Sequence, residues 1–208
     1  MNACSKENVL PSFFVDDSKN AKDEYLVDYW LSWILRCAKE ESKDQNKNLI
    51  KYSRRMLSYL LSRGKDNDFL EGKNIEEIKC WKFSSDVGCE VDVWLEVFVD
   101  DKKYALVIEV KVDSTISDNQ LENYRLYIDR YYNREKKDFC VKYVFFRAEN
   151  EYKNEEETKK EKKHCEDNGF FPVYWCDLKK AMDMTELTNN ALFDEFWFNW
   201  ENDVMKNM

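Results

Sequence analysis

Apolar and polar positions recur along this chain in two rhythms, one near 3.6 residues and one of two, and the switches between them mark the elements. Residues 1–15 read as an irregular lead-in that docks through Phe13 and Phe14. Asp16, Asp17 and Ser18 are helix-start residues, and over about 18–40 Leu26, Trp30, Trp33, Ile34 and Cys37 follow helical spacing. Residues 41–48 are polar and read as a loop. A second helix is predicted over about 47–62 from Leu49, Ile50, Met56, Leu57, Leu60 and Leu61, and Gly64 is placed to stop it.

The rhythm then changes to that of strands. Ile75–Phe83, Val91–Val99 and Tyr104–Val112 are rich in β-branched and aromatic residues and predict three strands. A helix follows over about 117–133, with Leu121, Tyr124, Ile128 and Tyr131 on one face. Phe139–Arg147 predicts a strand buried on both sides. The Glu-, Lys- and Asn-rich run 149–167 reads as a solvated helix or loop whose charge needs no functional explanation. A short last strand is expected over Phe171–Trp175. Asp177 is a candidate cap for a short helix, and an aromatic helix over 189–203 carries Phe193, Phe196, Trp197 and Trp200. The order α-α-β-β-β-α-β-α-β-α predicts a mixed α/β fold in a single domain over 1–208, with its core at about 20–175 and a helical extension over 177–208.

The stretch Val91–Lys111, VDVWLEVFVDDKKYALVIEVK, reads as a hairpin whose register can be worked out. A two-residue loop at Asp101–Lys102, or a four-residue loop over 100–103, sets Asp92 opposite Lys111 and Trp94 opposite Glu109. Alternation then places Asp92, Trp94, Glu109 and Lys111 on one face. Asp92 and Glu109 become diagonal neighbours with β-carbons within about 8 Å, close enough to converge on one cation. A three-residue loop would flip the parity. Val91, Val93, Leu95, Val97 and Val99 make the opposite face apolar, matched by Leu106, Ile108 and Val110. The plain alternative is a solvated face with a cross-strand Asp92–Lys111 ion pair, which contributes little.

Composition narrows the classes. The chain has 208 residues, enough for one well-cored domain, and its 4 Gly and 2 Pro leave little material for linkers. A formal charge of −9 counts against a simple basic nucleic-acid binder, although a metal ion and a local basic patch can offset it. Seven cysteines show no CxxC pair, and the start MNACSKENVL has no apolar segment, so reduced thiols in a cytoplasmic protein are expected. No apolar run approaches the roughly 20 residues of a membrane-spanning helix. The only histidine, His164, sits in a charged run, which leaves no Ser-His-Asp set. GKDNDFLEGK lacks the spacing of a phosphate-cradling loop.

Asp92 followed by Glu109-Val110-Lys111 at the end of an apolar strand resembles the D…ExK signature of the PD-(D/E)XK nuclease superfamily. QLENY, with Gln120 and Tyr124, is similar to the QxxxY motif of many of its branches. DEYLVDYWLSWIL, with Glu24, resembles the early helix that supplies an acidic residue there. Val91 stands where that family commonly has Pro. The resemblance covers about 20–175 and implies a restriction-endonuclease-like fold, an αβββαβ core flanked by helices.

It also implies roles. Asp92 and Glu109 would ligate Mg²⁺ or Mn²⁺, with the Val110 carbonyl as a third oxygen and Glu24 reaching the metal directly or through water. Lys111 would orient or help deprotonate the attacking water and offset transition-state charge. Gln120 and Tyr124, one helical turn apart, would contact the site or the nucleic-acid backbone. The plainer readings are a Ser117-x-x-Gln120 capping box, Tyr124 in the core, Glu24 favouring a helix dipole with Asp28 as the competing acid, and Asp113 and Asp118 as turn and cap residues.

The expected function is metal-dependent cleavage of nucleic acid, DNA foremost, in a prokaryotic or phage defence, repair or mobile-element setting. A retired module of the same fold and an immunity-type protein-interaction partner are the alternatives. The C-terminal aromatic helix is expected to cover the core, with a homodimer or protein partner as its other use.

Overall fold

The computed structural model describes residues 24–39, 47–81, 91–149 and 154–205, with side chains to residue 198. Helix α1 (Glu24–Cys37) and helix α2 (Lys47–Ser62) precede strand β1 (Ile75–Trp81), strand β2 (Val93–Val99) and strand β3 (Lys102–Lys111). Helix α3 (Gln120–Glu135), strand β4 (Phe139–Arg147), helix α4 (Glu155–Asp167), strand β5 (Phe171–Tyr174), helix α5 (Trp175–Met182) and helix α6 (Ala191–Met205) complete the order. Residues 1–23, with Asp16, Asp17 and Ser18, lie outside the described residues, as do most of the loop expected at 41–48 and the end of the strand expected to reach Phe83.

The five strands form one mixed sheet in the order β1-β2-β3-β4-β5. The first three are mutually antiparallel, while β3–β4 and β4–β5 run parallel. Helices cover both faces, so the protein is a mixed α/β structure. One face packs Val93, Leu95, Val97, Leu106, Ile108 and Val110 against α1, α2, α5 and α6. Its outer layer is aromatic, with Trp30 stacked on Phe196 at 4.0 Å between ring centroids and Trp175 edge-on to both Trp30 and Trp197. Burying several such rings supplies much of the drive to fold.

The opposite face packs Trp94, Ala105, Val107, Tyr143 and Phe145 against Leu121, Ile128 and Tyr132 of α3 and Cys165 of α4. This is the face that carries Asp92, Glu109 and Lys111, and it is not solvated. Helix α3 closes over it, which is why Glu96 can be buried on a strand without being isolated. Its carboxylate accepts from the Tyr132 hydroxyl at 2.9 Å and from Lys136 at 2.5 Å, and the Trp94 indole N–H donates to the same Tyr132 oxygen at 2.8 Å.

Two local expectations are corrected. The hairpin turn is Asp100–Asp101, because Val99 pairs with Lys102. Asp100 adopts a left-handed backbone, φ 49°, and its carboxylate accepts the Asn74 N–H at 3.1 Å. A contact to the start of β1 therefore sets the turn. Helix α5 begins after Tyr174 rather than at an Asp177 cap, and Asp177 instead pairs with Lys162 at 2.8 Å.

Candidate functional site

The observed register moves each β3 partner by two residues from the expected one, which keeps the parity and therefore the face. Val93 pairs with Ile108, so one further step sets Asp92 directly opposite Glu109 rather than diagonal to it. Asp92 Oδ2 accepts the Val110 N–H at 2.7 Å, which fixes the carboxyl at the open end of the ladder. The site thus lies where β2 begins and β3 ends, at the carboxyl end of a central strand, a common place for ligands in open α/β sheets.

Glu109 is fully buried. Its Oε1 accepts from Lys111 Nζ at 2.6 Å and from Gln120 Nε2 at 2.6 Å. Its Oε2 is buried and meets no hydrogen-bond donor among the described residues. The group beside it is the Asp92 carboxyl, another acceptor. A fully buried acceptor beside a second, half-buried carboxyl is costly unless a proton or a cation offsets the charge. Burial, and then the Asp92 charge, push the Glu109 carboxyl well above the usual carboxylate range. Burial also raises Asp92, against the opposing pull of the Val110 N–H and of Lys111.

Lys111 is buried at the end of β3. Burial works to lower its ammonium, but the Glu109, Asp92 and Glu24 carboxylates outweigh it and the pKa rises. Lys111 is therefore a cation throughout the neutral range. Its Nζ also donates to the Val110 carbonyl at 3.1 Å. On its other side lies Glu24 Oε2 at 3.8 Å.

Gln120 does two jobs. Its Oε1 accepts the Ser117 N–H at 3.2 Å, one half of the anticipated capping box. The true N-cap of α3 is Asn119, left-handed at φ 61° with no side-chain cap, and neither Ser117 nor Asp118 fills that place. The Nε2 of Gln120 serves Glu109 and also donates to the Tyr124 hydroxyl at 3.0 Å. Tyr124 is half-buried at the edge of the second core and belongs to both readings.

Glu24 opens α1, and its charge adds to the raising of Asp92, after burial. Its Oε1 accepts the Val112 N–H at 3.2 Å and the Ser114 hydroxyl. Asp28, the competing acid, is buried one turn further along α1. Among the described residues, no set of three or more His, Cys, Asp and Glu is gathered to hold a metal ion.

No protein-family model, no curated protein and no solved structure matches the chain. The donor set fits a small divalent cation in part: two apposed carboxylates, one with an orphaned oxygen, and the Val110 carbonyl with a second lone pair. Mg²⁺ commonly takes one or two carboxylates and keeps several waters, so a third protein carboxylate is not required.

Sequence reasoning missed two residues beside this set. Arg147 ends β4 directly next to Lys111 in the parallel ladder, and Glu161, in the run read as purely solvated, is buried against it. The available signal was an arginine closing the apolar run YVFF at the end of that strand. Among the described residues, none of Cys37, Cys80, Cys140, Cys165 and Cys176 forms a disulfide. No helix among them is long and apolar enough to cross a membrane.

Proposed function

We propose that this chain is a divalent-metal-dependent nuclease of the PD-(D/E)XK type, with a restriction-endonuclease-like fold, that hydrolyses phosphodiester bonds in nucleic acid, DNA foremost. The observation that carries the reading is the buried Glu109 Oε2, left without a hydrogen-bond partner, in a carboxyl close enough to the half-buried Asp92 for the Asp92 charge to raise it. A cation there satisfies both carboxylates and removes the need for a shared proton. Asp92, Glu109 and the Val110 carbonyl would hold Mg²⁺ or Mn²⁺. When bound, such an ion polarises the scissile phosphate and lowers the pKa of a water.

The chain's own groups divide the remaining work. Lys111, held as an ammonium, stabilises negative charge developing on the phosphoryl oxygens and orients the attacking water, which suits it better than accepting a proton. Gln120 holds Glu109 in place and Tyr124 holds Gln120. Glu24 stands behind Lys111 and steadies it rather than ligating the ion. A defence, repair or mobile-element setting remains part of the proposal.

A second reading is a non-catalytic module of the same fold that binds nucleic acid or a protein partner. It is favoured by the engagement of Glu24 with Val112 and Ser114, which leaves two carboxylates for the ion. Incubation of the purified protein with supercoiled, linear and single-stranded DNA and with RNA in Mg²⁺ or Mn²⁺ separates the two. The nuclease reading expects chelator-sensitive cleavage that disappears in Asp92→Asn and in Lys111→Met. Intact substrates throughout, with wild-type protein that is folded, would reject it in favour of the second.

A further inference from the structure

Eight residues, Val112–Asn119, link β3 to α3 without regular structure. Both ends of this link deliver a group to Glu109. Lys111 precedes it and Gln120 follows it, and each donates to Glu109 Oε1 at 2.6 Å. Something must hold the link in shape, because irregular backbone has no ladder of its own.

Arg147 supplies that hold. It is fully buried, and its guanidinium is divided between two tasks. Nε and Nη2 form a fork on the Glu161 carboxylate at 2.8 and 2.5 Å. Nη1 donates to the Val112 carbonyl at 2.7 Å and Nη2 to the Ser114 carbonyl at 3.1 Å. Glu161 is fixed in turn by the Tyr174 hydroxyl, and Glu149 lies 3.6 Å from Nη1. The same two residues also serve Glu24, because the Val112 N–H and the Ser114 hydroxyl both donate to Glu24 Oε1.

We infer that Arg147, seated on Glu161, is a positioning residue that shapes the Val112–Ser114 backbone so that Glu24 is drawn to Lys111 and Lys111 and Gln120 meet on Glu109. A lysine at 147 would keep the charge but lose the planar fork, and one ammonium cannot serve Glu161 and both carbonyls in the same geometry. An apolar residue would leave Glu161 buried without its cation. The positions of the two carbonyls, and not merely the filling of space, are what the guanidinium sets.

The effect on cleavage rests on the nuclease reading above, while the effect on the link does not, so the test has two arms. Amide hydrogen exchange of the full chain is compared for wild type, Arg147→Lys and Glu161→Gln, with cleavage kinetics measured alongside. Exchange across residues 112–119 should rise by about tenfold in Arg147→Lys, and by less in Glu161→Gln, while core amides of β4 such as Val144 stay protected. In the kinetic arm kcat should fall by about 100-fold with KM little changed, because substrate binding is kept and alignment is lost. Unchanged exchange over 112–119 in the folded variants would overturn the inference, and if Arg147→Lys does not fold, Glu161→Gln decides alone. A loosened link with wild-type kcat would equally overturn it. A wild-type protein that cuts nothing counts against the nuclease reading, and the exchange arm still decides the positioning role.

Discussion

The Gln120 side-chain amide donates to Glu109 Oε1 at 2.6 Å, tying the first turn of the helix that covers the sheet to the carboxylate at the end of its central strand. The same amide group donates to Tyr124 and its oxygen accepts from Ser117, so one side chain joins helix, link and strand. Gln120→Ala removes a donor from a fully buried carboxylate. It should cost about 1–3 kcal/mol in urea unfolding of the metal-free protein. A loss of under a few tenths would mean that Lys111 alone satisfies Glu109.

Asp92→Asn should do the opposite to stability. Asparagine keeps an oxygen for the Val110 N–H while removing the negative charge that raises Glu109. The metal-free protein should gain on the order of 1 kcal/mol at neutral pH, the scale of one relieved like-charge contact in a partly screened site. Calorimetric titration should show Mn²⁺ binding weakened by at least about tenfold, as expected when a ligand carboxylate is lost. Gained stability with lost metal affinity is the signature of a site kept for function.

The pH dependence follows from the same pair. Asp92 and Glu109 are both raised in the folded state, so the native protein holds their protons more tightly than the unfolded chain does. Their contribution is most favourable in acid and is lost as pH rises from the ordinary carboxylate range through the raised folded values. Lys111 is also raised, and its contribution persists through neutrality and is lost only above the ordinary lysine range. Thermal unfolding from pH 4 to 9 should therefore show the gain in Tm on adding Mn²⁺ growing with pH, because the ion replaces a proton. A gain that is flat or falls with pH would contradict this.

Tyr132→Phe separates scaffold from site. It removes the hydroxyl that joins Trp94 to Glu96 elsewhere on the same covered face. Stability should drop by about 1–3 kcal/mol, the usual loss when buried partners are left unsatisfied. Mn²⁺ affinity measured by calorimetry should stay within about twofold, since roughly 0.4 kcal/mol is the most that a distant, independent change transmits. A larger loss of affinity would show the two polar networks to be coupled.

Local pattern carried most of the fold. Residues Lys47–Ser62 and Phe139–Arg147 form the helix and strand that their periodicity predicts, with the same ends. What pattern could not supply came from contacts distant in sequence. The hairpin turn is set by Asp100 reaching Asn74, and without that contact the loop was placed one residue late. The face assignment survived because a shift of two residues preserves side-chain alternation. Asp92, Glu109, Lys111, Gln120 and Tyr124 are brought together, and Glu24 approaches them through Lys111 and the link beyond it. The pairing of Arg147 with Glu161 was illegible because it joins β4 to a helix whose sequence looks wholly solvated. Burial of three residues of that helix, Thr158, Glu161 and Cys165, becomes evident only once the sheet is in place.

The central claim is that Asp92 and Glu109 share a divalent cation rather than a proton. Anomalous diffraction from a Mn²⁺-soaked crystal tests it most directly. One Mn²⁺ is expected between Asp92 and Glu109, with oxygen ligands that include the Val110 carbonyl at roughly 2.0–2.6 Å. Crystals at neutral pH and millimolar Mn²⁺ with no anomalous peak there, and the two carboxyls still facing each other directly, would contradict it.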